Sequence, residues 1–165
     1  MIEYSLKALT ADELSFKVNP IKAAPDTKFE IKPMFTRQIR QANENNKVNI
    51  VILECKIEST EESPKPFNLH ARFVGVFEVN NMTTDEDKRT FAINATETMF
   101  PYLRAAVTNL TADALINPLT LPVVPGSTLF PEDRGPNHYT LNFDPKVVFL
   151  VFPGYQPVPV DFRVG

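Results

Sequence analysis

Proline decides what this chain can fold into. Fifteen of its 165 residues are Pro and only five are Gly. A Pro in a helix interior removes a backbone donor and clashes with the preceding turn, so this content excludes an all-helical bundle. The placement is uneven, with six Pro before residue 116 and nine after it. The chain therefore divides into a patterned body, residues 1–124, and a Pro-punctuated extension, residues 125–165. The extension is expected to pack on the same domain.

Length and composition narrow the class. A chain of 165 residues suits one domain and can bury a core without disulfides or metals. A formal charge of −3 gives no electrostatic footprint for nucleic acid. The single Cys55 excludes an intrachain disulfide framework and a Cys-based zinc site. No stretch approaches the apolar length of a membrane span. The start, Met1-Ile2-Glu3-Tyr4, lacks a basic region followed by an apolar run. The expectation is a cytoplasmic protein with no membrane insertion.

The body opens in period 2. Tyr4 and Leu6 alternate with polar residues, a turn is expected at Thr10-Ala11-Asp12, and Leu14, Phe16 and Val18 alternate again. Phe29, Ile31, Pro33 and Phe35 form the next alternating set, and Pro33 marks it as an edge strand or a bulge. The polar run from Gln38 to Lys47 is expected to be a loop. Val48 to Glu58 is apolar on both faces over its first half and should lie centrally in a sheet. Ser59 to Pro66 is a hairpin loop. After it, Phe67, Leu69, Ala71, Phe73, Gly75, Phe77 and Val79 share one face of the clearest strand. Strands joined by short or polar loops imply an antiparallel sheet.

The period then changes. Thr84-Asp85-Glu86-Asp87 offers an N-cap and an acidic first turn. Phe91, Met99, Leu103, Val107 and Leu110 follow at helical spacing. Pro101 interrupts the run, which predicts a short helix near 85–96, a break or kink, and a main helix near 99–114 ended by Asn117-Pro118. Strands followed by helix argue an α+β domain with the helix on one face of the sheet.

Chemistry-bearing constellations are few. Cys55 lies in an apolar strand, where a thiol is inert. His70 and His138 have no His or Cys at metal spacing and read as surface residues. The acid pairs Asp12-Glu13, Glu61-Glu62 and Glu132-Asp133 are adjacent in or beside turns and read as solvated charge. No Gly-rich phosphate loop or nucleophile elbow occurs. Enzyme activity has little support, and no cofactor or metal is expected. What remains is more apolar surface than one sheet and one helix can bury, so some of it should meet another subunit or a ligand.

The run Phe100-Pro101-Tyr102-Leu103-Arg104, the apolar helix after it, and Pro118-Leu-Thr-Leu-Pro122 together resemble the helical motif of the SecB export-chaperone family. Leu14-Ser15-Phe16 and Gly75-Val76-Phe77 resemble its strands. The resemblance covers roughly residues 3 to 125. It implies a four-stranded antiparallel sheet with a kinked long helix packed on one face. It further implies an ATP-independent holdase that keeps unfolded or precursor polypeptides in apolar grooves and assembles as a dimer or tetramer through its helices. Some members deliver to the SecA motor and others serve one client such as an antitoxin. By position, Phe29 and Ile31, with Phe35 on the same strand, match the client groove. Met99, Leu103, Val107 and Leu110 match the assembly helix, with ordinary sheet-to-helix core as the competing reading. The positions resembling the acidic SecA-docking patch hold Glu13, Lys17 and His70, so one acid of three is kept.

The extension is unlike the family. Val147-Val-Phe-Leu-Val-Phe152 is densely apolar, and Val158, Val160, Phe162 and Val164 alternate. It is expected to add an edge strand or to lie in the groove as a built-in occupant. Two other functions stay open at this point: a structural or adaptor protein binding one folded partner, and an enzyme or small-ligand carrier.

Overall fold

The computed structural model describes residues 1–20, 27–42, 45–116, 118–121, 129–130 and 148–152. In chain order the elements are β1 (Glu3–Val18), β2 (Thr27–Ile31), β3 (Met34–Ala42), β4 (Asn45–Ile57), β5 (Phe67–Asn80), α1 (Asp85–Asp113) and β6 (Val148–Phe152). Strands β1, β5, β4 and β3 form, in that order, a four-stranded antiparallel sheet. Strands β2 and β6 form a separate antiparallel pair. The fold is α+β, with α1 on one face of the larger sheet.

The expected turn at Thr10-Ala11-Asp12 does not form, and β1 is one continuous strand. Register shifts at Leu6/Ala8 and Ala11/Glu13 each insert an extra residue. Each bulge changes the face on which the next residues of the strand lie. Leu6, Leu9, Ala11, Leu14 and Phe16 therefore all lie opposite inward residues of β5, although their spacing is not uniformly two. A broken alternation mimics a turn.

The set from Phe29 to Phe35 is not one strand either. Pro33 has no N–H to give a ladder, and the chain leaves β2 there and enters the larger sheet as β3. The run from Gln38 to Lys47 is mostly strand, not loop: Gln38 pairs with Ile52, Ile39 with Val51 and Arg40 with Ile50. Polar side chains suit an edge strand, where they discourage pairing with other chains. They therefore give no strand signal.

The inward face of β5 is buried from Phe67 to Val79, as its alternation predicts. Phe77, Phe91 and Tyr4 form an aromatic corner, with Phe77 edge-on to Phe91 at 5.5 Å between centroids. Phe16 stacks on Phe67 at 5.1 Å. Full burial of Phe67, Phe77 and Phe91 contributes roughly 1.5–3 kcal/mol each. Gly75 lies beneath the helix, where an added Cβ would stand 2.9 Å from Met99 Sδ. The missing side chain is what lets α1 lie this close to β5.

Helix α1 is a single helix and runs through Pro101. The expected division into two helices is corrected. Pro101 sits on the exposed side, where water can satisfy the carbonyl left without a donor, while neighbouring Phe100 and Leu103 anchor the helix from beneath. Its start is a capping box: Thr84 Oγ1 accepts from the Asp87 amide at 3.0 Å and Asp87 Oδ2 accepts from the Thr84 amide at 3.0 Å. Hydrogen bonds donated to Asp87 Oδ2 by the Thr83 and Thr84 amides hold that carboxyl below its ordinary range.

The helix ends in a Schellman turn, with Leu115 N donating to Ala112 O and Ile116 N to Thr111 O. Leu115 has a φ of 61° where Gly is usual. Beyond it, residues 118–121 run back along α1. Thr111 Oγ1 accepts from the Leu119 amide, Thr108 Oγ1 donates to Leu119 O, and Arg104 Nε donates to Leu121 O. Leu119 and Leu121 are buried between those contacts.

Candidate functional site

The corner where β2 gives way to β3 holds the three residues matched to a client groove. Phe29 is half-buried and packs against the core. Ile31 has no accessible surface, and Phe35 is buried with its ring edge-on to Phe100 at 5.9 Å. Two of the three therefore form the floor of this corner and one reaches its surface. Beside them Met34 is 62 % exposed, and further along the same strand Ile39 is 37 % exposed. The sequence pattern singles out neither residue. Met34 occupies a polar-side position of the alternation, and Ile39 stands inside the polar run that reads as loop.

The β2 backbone is engaged by the chain itself. Phe29 lies opposite Leu150 and Ile31 opposite Val148 in the pairing with β6. The expected strand character of the extension is thus present at Val148–Phe152. The alternating set from Val158 to Val164 lies outside the described residues, as does His138.

The residues matched to the assembly helix lie on the sheet side of α1. Met99, Leu103 and Val107 have no accessible surface, and Leu110 is half-buried against the core. On the outward side Tyr102 is 53 % exposed, and at the end of the helix Leu115 is 92 % exposed. Arg37 crosses from β3 to the helix, where its Nη1 donates to Thr96 Oγ1 at 3.0 Å and to Ala92 O at 3.4 Å. Its guanidinium lies 4.5 Å from the Phe130 ring centroid.

The outer face of the sheet carries charge. His70 stands between two carboxylates, in contact with Glu13 through Nδ1 and with Glu54 through Nε2 at 2.7 Å. Arg72 pairs with Asp12 at 2.6 Å and approaches Glu54 at 3.6 Å. These partners come from β1, β4 and β5, far apart in sequence, which is why adjacent acids look merely solvated. Two of the positions resembling a SecA-docking patch, Glu13 and His70, are thus paired with each other; Lys17 is exposed.

Asn49 is the exception inside. It lies on the inward face of β4, opposite Phe77 and Gln41, fully buried. Its Oδ1 and Nδ2 have no hydrogen-bond partner among the described residues. It borders a cavity of about 370 Å³ with Ile39, Gln41, Met82 and, from the first turns of α1, Lys88 and Phe91.

Cys55 is buried, and desolvation pushes its thiol up to about 12, so it stays protonated at neutral pH. Among the described residues no His, Cys, Asp or Glu cluster could hold a metal ion. Among them, too, no helix is long and apolar enough to cross a membrane. What the arrangement offers is apolar surface on strand edges and at the helix end.

Comparison with known proteins agrees with this architecture. Residues 3–135 match the family model described as preprotein translocase subunit SecB. The protein-export protein SecB of Anaplasma phagocytophilum is 26 % identical over 137 residues, 81 % of each chain. That of Neorickettsia sennetsu is 30 % identical over 89 residues, 50 % of this chain and 54 % of the relative. An uncharacterized protein of Methanocaldococcus jannaschii is 31 % identical over 100 residues, 60 % of this chain and 64 % of that protein's length. Among solved structures, the SecB-like chaperone of Mycobacterium tuberculosis, in complex with a peptide from the HigA1 antitoxin, superposes with a TM-score of 0.60 at 15 % identity. That match covers 73 % of this chain and 90 % of the other. With the family model spanning most of its length, and with a four-stranded antiparallel sheet and a long helix on one face, the chain belongs to the SecB family.

Proposed function

We propose that this protein is an ATP-independent holdase that binds unfolded polypeptides through apolar surface. The observation that carries this reading is exposed apolar surface on the β3 edge of a SecB-family fold: Met34 on the outer face, next in the chain to the half-buried Phe29 corner, and Ile39 on the inward face at the strand's far end. Ile31 and Phe35 are buried at the corner where Phe29 reaches the surface. A holdase needs sequence-tolerant contacts rather than a reacting group, and aromatic and Met side chains supply them. Each contact is weak, and several on one assembly gain from high effective concentration.

The relatives named protein-export proteins support clients that are precursors of exported proteins. The antitoxin peptide held by the mycobacterial relative supports a dedicated client supplied as a short segment. SecA is the weaker partner, because of its three matching positions one is an acid and that acid is paired with His70. We place assembly into a homo-oligomer, a dimer or tetramer, along α1. There Tyr102 and Leu110 face or border the outside, while Met99, Leu103 and Val107 set the helix on the sheet.

The test is dilution of a chemically denatured client protein into buffer with and without this chain, in the absence of nucleotide. Suppression of aggregation at near-stoichiometric ratios is the expected result. Unchanged aggregation, together with tight binding to one folded partner, would replace the holdase by an adaptor.

A further inference from the structure

The strand that carries Phe29 is occupied by the chain's own C-terminal region. We propose that β2 is a strand-docking site for an extended segment that is apolar at every one of five successive positions, and that β6 is its resident competitor. The proposal rests on the holdase reading and names the client chemistry of that site and its regulation.

Three observations support it. First, β2 stands outside the four-stranded sheet, and among the described residues β6 is its one strand partner. A two-stranded pair is marginal on its own in water, so this ladder is the strand pairing most easily exchanged. The rest of the fold does not depend on it, because β1, β5, β4 and β3 pair with one another. Second, the pairing covers all of β2, from Thr27 opposite Phe152 to Ile31 opposite Val148. An incoming strand in the same place would take the same main-chain hydrogen bonds, which is recognition by strand addition. Third, the occupant specifies the partner. The sequence of β6 is Val-Phe-Leu-Val-Phe, apolar throughout. Such a segment is buried in a folded protein and exposed in an unfolded one. A site that accepts β6 therefore selects unfolded chains by composition.

Occupation by β6 also sets a threshold. A competitor docked for nine-tenths of the time weakens apparent affinity about tenfold. Weak or polar segments are turned away, and segments matching β6 displace it.

The experiment uses the full-length protein and, as probe, a fluorescent synthetic peptide with the sequence of residues 146–154. Adjacent amides of a strand point in opposite directions, so Phe149→Pro and Leu150→Pro are made separately; one of them removes a donor facing β2. The variant that unseats β6 is expected to bind the peptide about tenfold tighter than the natural chain. A Phe29→Cys/Leu150→Cys pair, at opposed positions, reports independently of the Pro variants. Oxidised, it should lose peptide binding; reduced, it should regain it. Binding that neither Pro variant strengthens and the disulfide does not block would overturn the proposal, even while aggregation is still suppressed and the holdase reading stands. Failure of both the natural chain and the variants to hold any unfolded protein would overturn the reading and the proposal together.

Discussion

Strands β5 and β3 flank the same central strand, and they are treated in opposite ways. Every inward residue of β5 from Phe67 to Val79 is covered, with α1 residues Met99 and Phe91 against Gly75 and Phe77. Strand β3 is an edge: Phe35 is buried, yet Met34 and Ile39 keep their apolar side chains in water. The difference separates two tasks in one sheet. Stability resides where the helix closes over β5. On the proposed reading, capacity to bind resides at the β3 edge and at Pro33, where the chain passes between β2 and β3.

The largest expected effect tests that separation. Leu103→Ala removes a fully buried side chain at the helix–sheet contact. It should destabilise by about 2–5 kcal/mol in urea unfolding. Met34→Asp, at an exposed position, should stay within about 0.5 kcal/mol of the natural chain and weaken client binding instead. The comparison breaks if Met34→Asp unfolds the protein as readily as Leu103→Ala, or leaves client affinity untouched.

A smaller effect is expected at Gly75. Its added Cβ would meet Met99 Sδ at 2.9 Å and Phe77 Cε2 at 3.0 Å. Overpacking of this kind costs about 1–3 kcal/mol, since Met99 is itself fully buried. A double-mutant cycle with Met99→Ala should show coupling between the two sites. Additive losses would mean that α1 does not press on β5 there.

Asn49 sharpens the boundary between the regions. An unsatisfied buried amide is unfavourable, so Asn49→Leu should raise the unfolding free energy by about 1 kcal/mol. Destabilisation in thermal melts would instead reveal a partner for that amide.

The smallest effect concerns pH. The Asp87 carboxyl titrates below its unfolded value because backbone amides donate to it. Its contribution is complete above the unfolded pKa and is lost as pH falls through the folded one. Asp87→Asn should therefore flatten the acid limb of the stability curve below about pH 4. An unchanged acid limb would mean that the capping box adds nothing in solution.

Much of this is legible in the sequence, for physical reasons that also explain the failures. The covered face of β5 shows because burial on one side forces strict alternation, and the N-cap shows because capping needs particular oxygens at fixed spacing. Strand β1 conceals its continuity because two bulges shift its alternation. Strand β3 is masked by the polar residues that protect an edge. Pro101 reads as a helix break because sequence does not show that it faces water. The Phe-Pro-Tyr-Leu-Arg motif and Pro118-Leu-Thr-Leu-Pro122 after it point to the SecB family, while the exposed residues Met34, Ile39 and Leu115 carry no local signal. Exposure of an apolar side chain depends on which element fails to cover it. The pairing of His70 with Glu13 and Glu54 is hidden likewise, since three strands must assemble before those groups meet.

The central claim is that this fold keeps apolar surface open for unfolded chains. Light scattering measures it most directly, on the protein alone and after mixing with a reduced, unfolded model protein in the absence of ATP. An oligomer whose mass rises by that of the bound chain is the expected result. A monomer whose mass the unfolded protein leaves unchanged would contradict the claim.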